Sequence, residues 1–296
     1  MFDFSHLPQN ATVTEFIGPS GIRVWQKPPN TTLVFMMCLG GGGGGGSGSS
    51  NAGGGGGGGG GSGGLSQGLF LASFIPNTLY VIFSGLSGSG APIGGSATAG
   101  AKAKIGNYGS GSSAPPSLYL DANGGNAGGN GTSSVAGSGG SGGAAISSTN
   151  ARLISSALFF NLQAGRAGTS GPQGASSAIT IATGLPILGG CGGGGAGGSS
   201  GSSSGGFTSE IPLIVPSISG ALPKANPGSN GMFIPPLFLS VGGIGGSSSG
   251  TGGPTIGGAG GSAVGYGAGG GGGGSGNGST SSGGQGGPAY ACIIAW

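Results

Sequence analysis

The sequence predicts an all-β protein in which a framework of short strands carries glycine-rich tracts packed as polyglycine II helices. Three observations carry that prediction. Glycine supplies 85 of 296 residues and proline 18, against usual levels of about 7 % and 5 %. Charged residues make up 4 % of the chain, against about 25 % in ordinary proteins. The remaining apolar residues are gathered into short β-prone runs separated by Gly/Ser tracts. This composition excludes a helical enzyme, because each helical Gly costs about 1 kcal/mol relative to Ala. It excludes collagen, because no strict Gly-X-Y period runs through the tracts. It also excludes charge-rich disorder, because mean hydropathy is positive. A structural or binding protein remains.

Taken in order, the apolar runs are Thr31–Leu39, Leu69–Phe83, Leu153–Leu162, Ile179–Leu188, Glu210–Ile218, Met232–Val241 and Ala289–Trp296. Runs of this length, bounded by Gly, Pro and Asn, read as strands. Pro76, Pro186, Pro212, Pro216, Pro235 and Pro236 mark edges and breaks rather than central strands. Residues 151–164 fit either a short helix or a strand. Residues 1–20 hold no Gly before Gly18 and are expected to form an N-terminal docking arm, with residues 21–296 as a single glycine-rich domain. Phe2 and Phe4 have the period of a strand face, and with Leu7 they are the candidate residues for docking onto a partner chain. The alternative is that the arm folds back over the framework.

The glycine tracts are Gly40–Gly64, Gly85–Gly111, Asn123–Gly143, Gly189–Gly206 and Gly242–Gly287. Gly/Ser chains in isolation behave as flexible linkers. Five structureless loops of that length inside one domain, however, argue against that assignment. Ordered tracts would form threefold left-handed helices, which have no internal hydrogen bonds. Side by side, such helices satisfy each other's N–H and C=O groups. Only Gly allows the axes to approach closely enough, and the interruptions here (Ser, Asn, Ala, Thr) are small.

Little in the chain suits catalysis. His6 is the single His, and Asp3, Glu15, Asp121 and Glu210 are scattered. No catalytic residue, metal site or cofactor is therefore expected, and the chain reads as a non-enzyme. A Gly-x-Gly-x-x-Gly run such as 41–46 follows a strand, but no helix and no acid some 20 residues on accompany it, so the dinucleotide fingerprint fails its context. Cys38, Cys191 and Cys292 lack zinc spacing; they read as small apolar residues, with a Cys38–Cys292 bridge as the alternative. A net charge of +3, with Lys102 and Lys104 the one close basic pair, does not suggest a nucleic-acid partner. The first residues lack a signal-peptide pattern and no run of about 18 apolar residues occurs, so no membrane span is expected.

The aromatic residues fall into two groups. Trp25 and Trp296 are expected to anchor the framework. Tyr108, Tyr119, Phe207 and Tyr266 lie within or beside Gly-rich tracts, where there is little core to fill. They are the candidates for surface recognition, either interfacial or ligand-facing.

Trp25-Gln26-Lys27-Pro28-Pro29, a β run (Leu33–Leu39) entering Gly40–Gly46, the strand-like Leu79–Phe83 before Gly85, and the closing Gly283–Trp296 segment together resemble the glycine-rich domains of tailed-bacteriophage tail-fibre and adhesin proteins. The resemblance spans roughly residues 22–296. It implies a virion structural protein made in the host cytoplasm and displayed on the virion surface. There a polyglycine scaffold would present loops for host attachment. Its partners would be other virion structural proteins and a host cell-surface receptor, and homotrimerisation is compatible with it. The alternatives are a capsid decoration or head-fibre protein, in which residues 1–20 dock, and a silk-like or ice-binding glycine-rich protein.

Overall fold

The computed structural model describes residues 10–51, 54–107, 117–147, 157–171, 226–231, 233–234, 239–240, 242–243, 245–247 and 256–296. In chain order the strands are β1 (Thr12–Ile17), β2 (Gly21–Gln26), β3 (Leu33–Leu39), β4 (Leu65–Leu71), β5 (Thr78–Ser84), β6 (Lys102–Asn107), β7 (Ser117–Ala122), β8 (Ala145–Ser147), β9 (Ala157–Gln163), β10 (Phe233–Ile234), β11 (Leu239–Ser240) and β12 (Tyr290–Ala295). One five-stranded sheet has the order β1-β12-β3-β4-β9, a second has β2-β5-β6-β7-β8, and β10 and β11 form a small hairpin pair. Every ladder is antiparallel. The fold is all-β, and the described residues contain no α-helix.

The two large sheets face each other across one core. Strand β3 shows how the sequence builds it. Val34, Met36 and Cys38 point inward to meet Leu79, Val81, Phe83, Ile105 and Leu120 of the second sheet. The alternate residues Met37 and Leu39 point the other way, into a smaller apolar layer with Leu65, Tyr290, Cys292 and Ile294. Both faces of β3 are thus covered, and its sequence (LVFMMCL) reads as an unbroken apolar run rather than an alternating one.

The tryptophan–lysine–proline segment acts as a latch at one end of this sandwich. Trp25 is 3 % exposed and fills the core. Two residues on, Lys27 Nζ donates to the carbonyls of Ala72 (2.9 Å) and Ile75 (2.7 Å), which belong to the short 3-10 turn linking β4 to β5. Thr31 Oγ1 donates to the Pro28 carbonyl at 2.7 Å and closes the turn that leads into β3. At the same end Trp296 N–H donates to the Leu33 carbonyl, and the Trp296 carbonyl accepts from Thr32 and Leu33.

The registers establish a polarity. Leu39, Leu65, Tyr290 and Gln163 lie together at one end of the first sheet; Ser84, Lys102, Ala122 and Ala145 lie at the corresponding end of the second. Each of these residues opens directly onto a glycine-rich tract, so eight strands feed their tracts out of one end of the sandwich. Asn10, the latch and Trp296 mark the opposite end, the base.

Three expectations change in detail. Residues 12–17, assigned to the docking arm, form the edge strand β1 paired along its length with β12. Phe2, Phe4 and Leu7 lie outside the described residues. The helix-or-strand ambiguity at 151–164 resolves as the strand β9 where the chain is described. The tract read as Gly85–Gly111 contains β6, whose Ala103 and Ile105 face the core while Lys102 and Lys104 alternate outward.

Candidate functional site

The tracts leaving the sandwich form a hydrogen-bonded bundle whose partners rotate with a period of three residues. In the 40–49 tract, the N–H groups of Gly40, Gly43, Gly46 and Ser49 donate to Gly64, Gly61, Gly58 and Gly55. Those of Gly41 and Gly44 donate to Ala101 and Thr98, and those of Gly42, Gly45 and Gly48 to Gly287, Gly284 and Ser281. The carbonyls of the same tract accept from three further segments in the same rotation: Gly41, Gly44 and Ser47 from Gly125, Gly128 and Gly131; Gly42 and Gly45 from Gly88 and Ala91; Gly43, Gly46 and Ser49 from Gly270, Gly273 and Gly276. Six neighbours therefore surround one tract, three accepting from it and three donating to it. A helix of three residues per turn with no internal hydrogen bonds produces this period.

Steric exclusion follows the same rotation. A Cβ placed on Gly40, Gly43 or Gly46 would collide with the backbone of Asn123, Asn126 or Gly129; on Gly42, Gly45 or Gly48, with that of Ala268, Gly271 or Gly274; on Gly44, with that of Ser89. The described residues of tracts 40–49, 54–64 and 267–276 are buried, and these hold the longest glycine runs. In the outer 137–144 tract, Gly137, Gly140 and Gly143 are buried while Ser138, Ser141 and Ala144 are exposed. Larger residues thus appear where the threefold rotation turns a side chain to solvent.

Asn130 repairs the rotation where one neighbour ends. Its Oδ1 accepts from Ser47 N–H at 3.0 Å, and its Nδ2 donates to the Gly95 carbonyl at 2.8 Å, so a side-chain amide occupies the position of a peptide group.

Turns cap the bundle far from the base. Asn51 is exposed at the turn where the Gly54 N–H donates to the Asn51 carbonyl. Thr132, Ser133, Ser134 and Val135 form a second exposed turn, closed by donation from Thr132 N–H to the Val135 carbonyl at 2.8 Å. Asn277 and Gly278 form a third, tied to the first by donation from Gly278 N–H to the Ser50 carbonyl. Ile93 is exposed on a shorter turn at the side of the bundle. The described tip surface is uncharged, rich in hydroxyls and amides, with isolated apolar side chains. The sequence reading passed over these residues. Their signal was the local break in glycine content: Ser-Ser-Asn at 49–51, Thr-Ser-Ser-Val at 132–135 and Asn-Gly at 277–278.

Of the sequence-selected aromatic residues, the two that are described, Tyr119 and Tyr266, lie in different apolar clusters. Tyr119 is buried in the main core. Tyr266 is half-buried, its ring 4.6 Å from that of Tyr290, and covers the outer apolar layer where sandwich meets bundle. Tyr108 and Phe207 lie outside the described residues. Nearby, Tyr290 OH donates to Glu15 Oε1 at 2.6 Å. Burial raises the Tyr290 phenol far above its ordinary value, and the neighbouring Cys292 and Glu15 add to that. The Cys292 thiol is pushed up to about 12 by burial, with Glu15 adding to the rise and the Tyr290 hydrogen bond offsetting part of it. Burial, then Asp121, pushes Cys38 well above the usual thiol range. Thiols held in this way are poor nucleophiles.

A Cys38–Cys292 bridge is ruled out by the register. Cys38 pairs with Ala291 and Cys292 with Met37, so the two side chains lie on opposite faces of the sheet, and both thiols are free. Cys191 lies outside the described residues. Asp121 is also buried; burial raises its carboxyl above the usual range, and Lys104, 4.0 Å away, together with Lys102 offsets part of the rise. Among the described residues, no three His, Cys, Asp or Glu side chains are grouped to hold a metal, and no helix is long and apolar enough to cross a membrane.

Residues 18–295 match the family described as glycine-rich domain. The chain belongs to that family. The match begins at the β1–β2 turn and ends in the last residue of β12, so it takes in nearly the whole sandwich and every described tract of the bundle. No curated protein matches the chain.

Proposed function

We propose that this glycine-rich chain is a non-enzymatic bacteriophage virion structural protein, a tail-fibre-associated adhesin on the virion surface. Its bundle of polyglycine II helices would hold recognition loops away from the docking end. The observation that carries the reading is the polarity of the fold. Eight strands deliver their tracts to one end, while Asn10 and Trp296 mark the other. A ten-residue tract advancing about 3.1 Å per residue places the tip turns roughly 30 Å beyond the sandwich. A rigid, chemically inert rod with polar turns at its end and Asn10 at its base suits attachment at one end and contact at the other. Other virion proteins would be the partners at the base, and a host cell-surface receptor the partner at the tip.

Two measurements test this. Mass spectrometry of purified particles should find the chain, and the purified protein should compete with particle adsorption to susceptible cells. Replacing Thr132–Val135 with Gly should abolish competition without lowering the melting temperature. Absence of the chain from particles refutes the virion assignment, and undiminished competition by the loop variant refutes the role of that tip.

A further inference from the structure

The sandwich has two open flanks, and the geometry points to their meeting in a second copy of this chain. We propose that the β8/β9 flank of one protomer docks against the β1/β2 flank of the next, and that the copies close head to tail into a ring. Among the described residues, no strand pairs with the outer edge of β9, β8, β1 or β2. An open strand edge is a template for pairing, and soluble proteins usually protect one with charge or proline. Strand β9 (ALFFNLQ) has neither. It exposes Leu158 at 58 %, Phe159 at 47 % and Leu162 at 37 %. The opposite flank exposes Ile17 at 46 %, Ile22 at 54 % and Val24 at 55 %. Its two charged side chains leave this apolar surface available. The Glu15 carboxylate accepts from Tyr290, and Arg23 Nη1 donates to the Ile22 carbonyl beside it.

Strand direction favours this occupant over a back-to-back pair. An antiparallel sheet with an odd number of strands has both edges running the same way. Here β1 and β9 both run from base to bundle, and β2 and β8 both run from bundle to base. Joining unlike flanks in parallel therefore keeps both sheets continuous and leaves every bundle pointing in one direction. Pairing β9 with β9 antiparallel would point the bundles in opposite directions. The flanks lie on opposite sides of the sandwich, so one neighbour cannot cover both, and closure takes at least three copies. A heterologous contact of this kind closes into a ring when its rotation permits.

This inference rests on the proposed function at one point, the preference for bundles facing one way. Its test is independent of cell binding. Native mass spectrometry of the wild-type chain should give a multiple of 26.9 kDa of three or more. Leu158→Lys on one flank and Val24→Lys on the other should each give folded protein, checked by circular dichroism, without rings. Mixing the two variants should then give a one-to-one dimer, because each retains the flank that the other has lost. If Leu158→Lys does not fold, Leu158→Ser takes its place. A monomeric wild type, a ring that survives either substitution, or folded variants that remain monomeric on mixing each overturn the proposal. Rings that do not compete with adsorption would refute the adhesin role alone.

Discussion

Gly45→Ala adds one methyl group at a position surrounded by other chain segments. The new Cβ would lie more than 1 Å inside ordinary contact with the Gly271 carbonyl. That carbonyl accepts from Gly284 N–H at 2.8 Å, while Gly45 N–H donates to the Gly284 carbonyl at 2.9 Å and the Gly45 carbonyl accepts from Ala91 at 2.9 Å. No flexible side chain is present to yield, so two backbones must separate. Separation leaves at least two buried hydrogen bonds broken or stretched, at about 1–3 kcal/mol each. Replacing Gly with Ala restricts the unfolded chain and returns about 0.4–1 kcal/mol. The net expectation is a loss of roughly 1–5 kcal/mol. Urea denaturation should show this as a lower midpoint at unchanged slope. Gly18→Ala is the internal control, because its Cβ meets nothing nearer than 3.9 Å. Its stability should not fall, and the restricted unfolded chain raises it by at most about 1 kcal/mol. If Gly45→Ala is as stable as Gly18→Ala, the tracts do not pack as described.

Lys27→Met keeps the aliphatic stem but removes both donations to the Ala72 and Ile75 carbonyls, so it should cost about 2–4 kcal/mol in the same assay. Asn130→Ala leaves Ser47 N–H without its acceptor and should cost about 1–3 kcal/mol, whereas Asn130→Gln tests whether amide geometry matters. Cys38 and Cys292 should resist aromatic disulfide reagents in the folded protein and react on unfolding. Their raised pKa values also fix the sign of the alkaline response. The unfolded thiol ionises near 9 while folded Cys292 holds its proton to about 12, so stability falls as pH rises between those values. The slope approaches 1.4 kcal/mol per pH unit for each such thiol. A melting temperature unchanged from pH 8 to 11 would contradict that linkage.

Much of the architecture was legible in the sequence because composition constrains it so strongly. Runs such as Thr31–Leu39 and Ala289–Trp296 are apolar at nearly every position, and they became β3 and β12 at the centre of the first sheet. Strands β6 and β7 were harder to see. Strand β6 holds small or charged residues (Lys102, Ala103, Lys104, Gly106), since Lys102 and Lys104 turn outward while Ala103 and Ile105 fit the core. In β7 the apolar stretch is only Leu118–Leu120, cut short by Asp121, which is nevertheless buried. Strand β1 was read as part of an arm because no Gly precedes Gly18, which set this segment apart from the glycine-rich remainder. Its pairing with a strand about 280 residues away, Thr12 opposite Ala295, left no local trace. The place of Tyr119 was hidden for a related reason. Tyr119 lies between two glycine-rich tracts in sequence, but it faces a core assembled from distant strands. The tip turns were encoded, but only as interruptions in a repeat, and an interruption signals an exposed position without naming what it contacts.

The threefold rotation of neighbours also sets rules for how such a protein can change length. Adding one residue to the 137–144 tract would turn the backbone by a third of a revolution. Outward serines 138 and 141 would then swing toward the backbones that Gly137 and Gly140 now touch. Adding three residues restores the phase, but the surrounding segments must grow by the same step to keep their donors and acceptors matched. Insertions within the bundle are therefore quantised in triplets and shared among neighbours, whereas the turns at its end can vary one residue at a time.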